Sequence, residues 1–421
     1  MKIGIIGGGA SGMAAAITAS SLGAAVTILE KKERVGSKIL ATGNGKCNLS
    51  NQQIGPDCYH SEDPSLIASI LERFSVREVL DFFQALGLMV RVRNGGFYPA
   101  CEQASAVLDV LRFALARGGI AVETGCLAVH AACQQGTFLV HTEGMAGKRV
   151  FSFDRLILAC GSSAGLGTKE ADNGLKLAGE FSLKRIPFSP ALVQLCCRET
   201  CCRAMAGVRC QAEVTLRAAG TDYREQGEVQ MTDYGISGIP VFQISRHASA
   251  ALKQQRELAV FLDFLPGMET GSWQELLKDR VRTLGQESAE RFFTGTVHKK
   301  IIAVILKECG ISPGEIIRHI PQEKLTAAGE KIKHFPLTVT GTNPFSKAQV
   351  CAGGVRLSEV TGNLEAKGCK GLYITGELLD ADGRCGGYNL HWAWATGVLA
   401  GRAAAEERPT RQAGRERFHR P

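Results

Sequence analysis

The stretch that most limits what this chain can fold into is its beginning, Lys2-Ile-Gly-Ile-Ile-Gly-Gly-Gly-Ala-Ser-Gly12. Ile3, Ile5 and Ile6 make an apolar run of the length of a buried parallel strand. Gly7, Gly9 and Gly12 then give G-x-G-x-x-G, and Ala10 and Ser11 open an alanine-rich helix. Gly7 permits the tight turn, Gly9 lets backbone approach a pyrophosphate, and Gly12 lets the helix sit close to the sheet. The helix start aims unpaired N–H groups and its positive dipole end at the phosphates. A second strand, Ala24 to Glu30, closes on an acid about 20 residues further on, where a carboxylate can accept both ribose hydroxyls. This order predicts an ADP-containing cofactor.

At 421 residues the chain exceeds what one core usually serves, so two or three domains are expected. Its apolar share of 45% and charged share of 21% are those of a soluble globular protein. No apolar stretch is long enough to span a bilayer, and the amino terminus enters a strand without a basic leader. A cytoplasmic protein with no membrane partner is expected. The net charge of +8 lies partly in a tail after Ala405, ending Arg415-Glu-Arg-Phe-His-Arg-Pro421, which reads as a solvated extension. Diffuse positive charge of this kind is not a nucleic-acid-binding stripe.

Fifteen cysteines in such a context read as reduced thiols. The densest group, Cys196-Cys197, Cys201-Cys202 and Cys210, lacks paired C-x-x-C spacing and a nearby histidine, so no metal site is predicted. His298 and His319 are isolated.

After Glu30, the segment Lys31 to Asn51 is dense in glycine, asparagine and hydroxyls. Lys31, Lys38, Thr42, Gly43, Asn44, Gly45 and Asn48 offer cations and backbone donors suited to a phosphate and a polar ring edge. It is not a P-loop, because Cys47 stands where a magnesium-binding hydroxyl is needed. Two amphipathic helices follow over 64–86, then a hairpin around Asn94-Gly95. The buried strand Arg155 to Ala159 opens into Cys160-Gly161 and continues to Gly165-Leu-Gly167, which can bring backbone against a dinucleotide again. From Pro190 short antiparallel strands are expected, with Tyr234 to Pro240 as a turn into a helix over 241–252. Helices are expected to 331, including one after Pro313-Gly-Glu315, and strand alternation resumes at Phe335 to Thr340. Near the end, a buried strand runs into Gly376-Glu377-Leu-Leu-Asp380, and Gly386-Gly387-Tyr388-Asn389-Leu390 opens the helix to Ala405. A glycine pair at a helix start is a second place where N–H groups meet an anionic group.

Taken together, Ile5 to Gly12, Gly36-Ser-Lys38, Thr42 to Asn51, Asp233 to Gly238, Ala352 to Val355, Gly376 to Asp380 and Gly386 to Leu390 resemble one bacterial flavoprotein family. It is the BaiN and HI0933-like, aminoacetone-oxidase-like family of the two-dinucleotide-binding-domain superfamily. The resemblance implies an α/β fold: a discontinuous Rossmann-like FAD-binding domain (1–190 and 340–421) with an inserted β-barrel-like domain (191–267) and a small helical one (268–339). It implies that Gly7, Gly9, Ala10, Ser11 and Gly12 face the pyrophosphate of FAD, and that Glu30 and Lys31 face the adenosine. Lys38 and Thr42 to Asn48 would line the cofactor. Val129 would lie near the adenine, with Ala159 and Gly161 alongside. Gly376, Glu377 and Asp380 would hold the pyrophosphate–ribityl part, and Gly386 to Leu390 would approach the flavin. Lys46 stands where the family often has arginine, and Leu364 where methionine is common.

The activity implied is NAD(P)H-driven reduction of an activated C=C in a small enone, bile-acid- or steroid-like, by hydride from flavin N5. The middle domain would wall the cleft, since ligand sites favour domain junctions. Two alternatives stay open: an oxidase of small amines or aminoketones using oxygen, and a flavoprotein that binds or modifies RNA. Tyr98 and Tyr388 are phenols beside glycine-rich segments, but nothing in the sequence assigns either a catalytic role. Oligomeric state is not legible.

Overall fold

A computed structural model describes residues 1–145, 147–165, 173–254 and 257–406. Leu166, Gly167 and the basic tail lie outside the described residues.

The opening unit is β1 (Lys2–Ile6), α1 (Ala10–Ser21) and β2 (Ala25–Leu29). Strand β1 sits centrally in a five-stranded sheet, ordered Leu372–Ile374, Arg155–Leu158, β1, β2, Ala121–Glu123. Every pairing in it is parallel. Both faces are covered, which is why Ile3, Ile5, Leu156, Ile157 and Ile374 show no alternation and no exposure. A meander, Cys126–Gln134, Thr137–Gly144 and Arg149–Phe153, follows the fifth strand. The hairpin Val90–Arg93 with Gly96–Pro99 turns on Asn94 and Gly95, both at positive φ (47° and 77°), as a tight primed turn requires.

The carboxy-terminal helix Tyr388–Ala405 packs directly on α1. It is buried almost all round, which explains its apolar composition without any membrane role. No helix among the described residues is long and apolar enough to cross a membrane.

Between these parts, six antiparallel strands close a barrel: Leu195–Cys197, Gly235–Gly238, Thr221–Met231, Arg209–Ala218, Leu258–Asp263 and Phe335–Thr342. Tyr234 to Pro240, expected as a turn, therefore contains a barrel strand. Gly235 and Gly238 let it lie against its neighbours, since a side chain at either would strike the backbone of Leu195 or Glu228. Phe335–Thr342, which the sequence divides between the helical insert and the returning domain, is the strand that closes the barrel between Leu258–Asp263 and Leu195–Cys197. After Pro313-Gly-Glu315 only a short 3-10 turn, Ile317–His319, forms instead of a helix. Two large apolar cores result, one from residues between 3 and 193 and between 348 and 404, the other from residues between 195 and 339. The antiparallel pair Arg185–Ala191 with Val350–Val355 carries the chain out to the insert and back.

His391, in the first turn of the last helix, is fully buried. The Phe74 carbonyl lies 3.0 Å from its Nε2, so Nε2 carries the proton and Nδ1 accepts from Ser50 Oγ at 2.8 Å. Burial pushes its pKa down to about 4. The unfolded chain takes up this proton near pH 6.5 and the native one does not, so stability is full above pH 6.5 and falls as the pH drops towards 4. The loss is on the order of 3 kcal/mol. Burial raises Asp382 to about 6, which works in the opposite sense. Urea unfolding midpoints between pH 7 and 4.5 should therefore fall less steeply for His391→Gln than for the wild type.

Candidate functional site

The turn from β1 into α1 is built as a cradle. Gly7 has φ of 109°, and a Cβ there would lie 2.3 Å from the Ala159 oxygen. At Gly12 it would lie 1.9 Å from the Gly7 oxygen. Gly9 differs: its φ and ψ (−81° and −167°) suit any residue, and a Cβ would meet nothing within 4 Å. No side chain caps α1, so the N–H groups at its start, Ala10 and Ser11 among them, have no side-chain acceptor. Free space beside glycine backbone at an uncapped helix start is what a pyrophosphate would fill.

Next to the cradle lies a cleft lined by Ile6, Gly7, Glu30, Lys31, Gly161, Asn173 and the backbone run Cys126, Leu127 and Ala128. Glu30 is buried, its Oε2 accepting from Gly8 N at 2.7 Å and its Oε1 from Lys32 N at 2.9 Å. A carboxylate has about four lone-pair positions, so a diol can still be held. Val129, expected near the adenine, stands at a register break between Ala128 and His130 with its side chain exposed. The cleft wall is the three residues before it.

Towards the other end, Lys38 Nζ and Ser162 Oγ both donate to Glu377 Oε2, each at 2.6 Å. Gly376 donates to Thr396 Oγ1 and packs against Ser11, and Asp380 Oδ1 accepts from Gly353 N at 3.1 Å. Thr42 donates to the Ile39 carbonyl, while Gly43, Asn44 and Gly45 all take positive φ in one tight loop. Among the described residues, Asn48 Oδ1 and Thr375 Oγ1 are buried without a partner. Asn48 Oδ1 faces Gly387, where a Cβ would come within 2.9 Å of it. Gly387 (φ 97°) and Gly386 (φ 128°) present bare backbone, and Asn51 Nδ2 donates to the Gly386 carbonyl. Tyr388 is buried, its carbonyl accepting from Tyr59 Oη, and Leu390 packs into the main core. Asn389 spends its side chain on Gly383 and the Arg384 carbonyl, so it shapes the loop before the glycine pair. Lys46 is held by Glu102, which also pairs with Arg91 and Arg93.

Residues that sequence reasoning passed over gather where the insert meets this loop. Arg246 forms a bidentate pair with the buried Asp382 (2.9 and 3.0 Å), and Arg384 pairs with Glu225 (2.8 and 3.0 Å). Cys385 N donates to Gln243 Oε1. The only linear signal was Asp382 beside Asp380. Further off, a hydrogen bond with Cys197, with burial behind it, raises the Cys202 thiol to about 12, and burial raises Cys210 to about 11, the reverse of an activated cysteine. Among the described residues no group of side chains could hold a metal ion.

Residues 1–403 match the family described as HI0933-like protein Rossmann domain. The chain belongs to that family. It is an FAD-dependent flavoprotein oxidoreductase, and the open cradle at Gly9 and the orphaned amide of Asn48 fit such a cofactor. This HI0933-like chain is 43% identical over 412 residues to the 3-dehydro-bile acid delta(4,6)-reductase of Clostridium scindens, covering 96% of this chain and 99% of that protein. It is 26% identical over 395 residues to the ribosomal RNA dihydrouridine synthase of Haemophilus influenzae, covering 93% and 95%. In fold it is similar to the 3-ketosteroid-delta4-(5alpha)-dehydrogenase of Rhodococcus jostii, with a TM-score of 0.50, 14% identity and 96% of each chain covered.

Gly9 borders open space and Gly12 a packed contact. Gly9→Ala should fold with an unchanged melting temperature as apoprotein yet retain at least ten-fold less FAD. Gly12→Ala should lower the apoprotein melting temperature itself, by about 1–3 kcal/mol of stability. Calorimetry of apoprotein and FAD titration by flavin fluorescence check both.

Proposed function

We propose that this flavoprotein reduces a carbon–carbon double bond conjugated to a carbonyl in a bile-acid- or steroid-like enone, with NAD(P)H as reductant. The observation that carries this is the 43% identity, over nearly the whole of both chains, with a 3-dehydro-bile acid delta(4,6)-reductase. The more distant relative supports the same chemistry, since a dihydrouridine is a uridine whose ring double bond, conjugated to a carbonyl, has been saturated.

When bound, FAD supplies hydride transfer, the chemistry the protein side chains lack. The amides after Gly9 would hold the pyrophosphate, Glu30 the adenosine ribose and Asn48 a polar edge of the flavin ring. The bare backbone of Gly386 and Gly387 would lie against that ring. Lys38 is paired with Glu377 and Arg246 with Asp382, so neither cation stands alone where an apolar polycyclic substrate would approach. The junction of insert and flavin domain would close the pocket and exclude water.

A uridine within RNA is the second reading. Arg91, Arg93 and Lys46 share the single carboxylate of Glu102, which leaves that edge of the molecule net positive.

Anaerobic stopped-flow with NADH and with NADPH should bleach the flavin, and a steroid 4-en-3-one should restore its colour with formation of the saturated ketone. Reoxidation only by oxygen, with oxygen uptake on a small amine, overturns the reading in favour of an oxidase. Reoxidation only by uridine-containing RNA, at rates that fall steeply with salt, overturns it in favour of the second.

A further inference from the structure

Three chain segments meet at the seam beside the glycine pair: the strand Tyr59–His60, the barrel strand Thr221–Met231 and the helix Ile239–Ala251. Tyr223 lies flat on His247, with ring centroids 3.8 Å apart and planes 13° from parallel. His60 meets His247 edge-on at 5.4 Å and 89°. All three rings are half-buried, and among the described residues no hydrogen bond engages either imidazole or the phenol. Several of the polar groups around them are already engaged. Arg246 is taken by Asp382, Arg384 by Glu225 and Gln243 by the Cys385 amide.

The position ties this cluster to the cofactor end of the site. His60 pairs with Asp382 across a two-residue ladder, and the Arg384 amide donates to the Cys58 carbonyl. Gly386 and Gly387 follow directly. Burial, together with the Arg246 and Arg384 guanidiniums, pushes His60 down to about 3; burial and Arg246 push His247 to about 4. Both rings are thus neutral near pH 7, each with one N–H to give and no partner to give it to. At a half-buried seam such an N–H faces solvent, and an arriving acceptor can take the place of water there.

We propose that His60 and His247 present their imidazole N–H groups to the carbonyl oxygen of the substrate, with Tyr223 fixing the plane of the His247 ring. This rests on the reading of the protein as a reductase of conjugated carbonyls. When hydride adds to the far carbon of such a system, negative charge develops on the oxygen. Donors already aimed at that oxygen stabilise the change without moving. A neutral imidazole donates and keeps its proton. The seam, rather than the glycine loop, then selects for a conjugated ketone.

The test uses oxidised holoprotein without reductant, titrated with androst-4-ene-3,17-dione and with androst-4-en-17-one, which lacks the 3-oxygen, while flavin absorbance is followed. Wild type should bind the diketone about ten-fold more tightly. His60→Phe and His247→Phe keep a ring in place without a donor. Each should cut that preference to about three-fold or less and leave the affinity of the 3-deoxy compound unchanged. His247→Gln, which restores an N–H, should recover most of the preference. Full preference in both phenylalanine variants overturns the assignment, and so does an equal loss of affinity for both steroids. Should a phenylalanine variant lose its flavin, His60→Gln and His247→Gln decide: a retained preference for the diketone supports the assignment, and its loss overturns it. A wild type that reduces no conjugated ketone removes the parent reading and this one together. A wild type that does, with variants that still discriminate, removes this one alone.

Discussion

The close contact between the first helix and the last sets the frame for everything else. A Cβ at Gly397 would fall 2.3 Å from the Ser11 oxygen, and one at Gly401 2.4 Å from the Ala15 oxygen. Both contacts advance by four residues, so the two helices run parallel and touch along one face. Nothing larger than glycine allows that approach. Because the contact joins residue 397 to residue 11, the start of the last helix projects eight residues beyond the start of α1, about 12 Å. Two uncapped helix starts, one at Gly9 and one at Gly387, thus face the same side with a fixed offset. A dinucleotide is a long molecule with an anionic middle and a polar ring at one end. The offset would let one helix serve the former and the other the latter.

The insert is tied to this frame by charge as much as by apolar packing. Asp382 is nearly buried yet holds a bidentate guanidinium, and burial lifts its pKa even against that cation. Such a pair contributes little net stability, because desolvation takes back most of what the contact gives. It does specify register: only one placement of the helix Ile239–Ala251 satisfies Arg246 and Gln243 together. Arg384 and Glu225 add a second constraint from the barrel strand. The loop before Gly386 is therefore gripped from the insert on one side and by Asn389 on the other.

How much of this the sequence disclosed follows from how local each feature is. The β1 turn was legible because much of its requirement for glycine is local, in the φ of Gly7 and in Gly12 against Gly7, and the Ala159 oxygen only adds to it. Parallel strands read as unbroken apolar runs, and the Asn94-Gly95 hairpin announced itself through φ. The barrel strand in Tyr234 to Gly238 was hidden because its two glycines answer to neighbours nearly forty residues away at Leu195 or on the adjoining strand at Glu228. Phe335–Thr342 shows clear alternation, but alternation does not say which sheet a strand joins. Asn389 looked like a cofactor ligand in a glycine-rich stretch, and only the fold shows its amide turned back on Gly383. The seam residues were invisible for the same reason. His60, Tyr223 and His247 lie in unrelated stretches, each unremarkable alone.

That distribution carries an argument about the division of labour in the molecule. The groups that would hold the dinucleotide are local, backbone-rich and concentrated where helices begin, because a pyrophosphate is recognised by N–H groups that any sequence with the right glycines can present. The groups at the seam are side chains drawn from two domains, and their chemistry depends on which residues the insert brings. Within one frame, a change in the insert would then exchange one proposed substrate for another while the flavin end stayed as it is. The relatives fit this pattern, since a bile-acid reductase and a dihydrouridine synthase align with the chain over nearly its whole length. A conjugated oxygen is what the two imidazole donors proposed at the seam would receive.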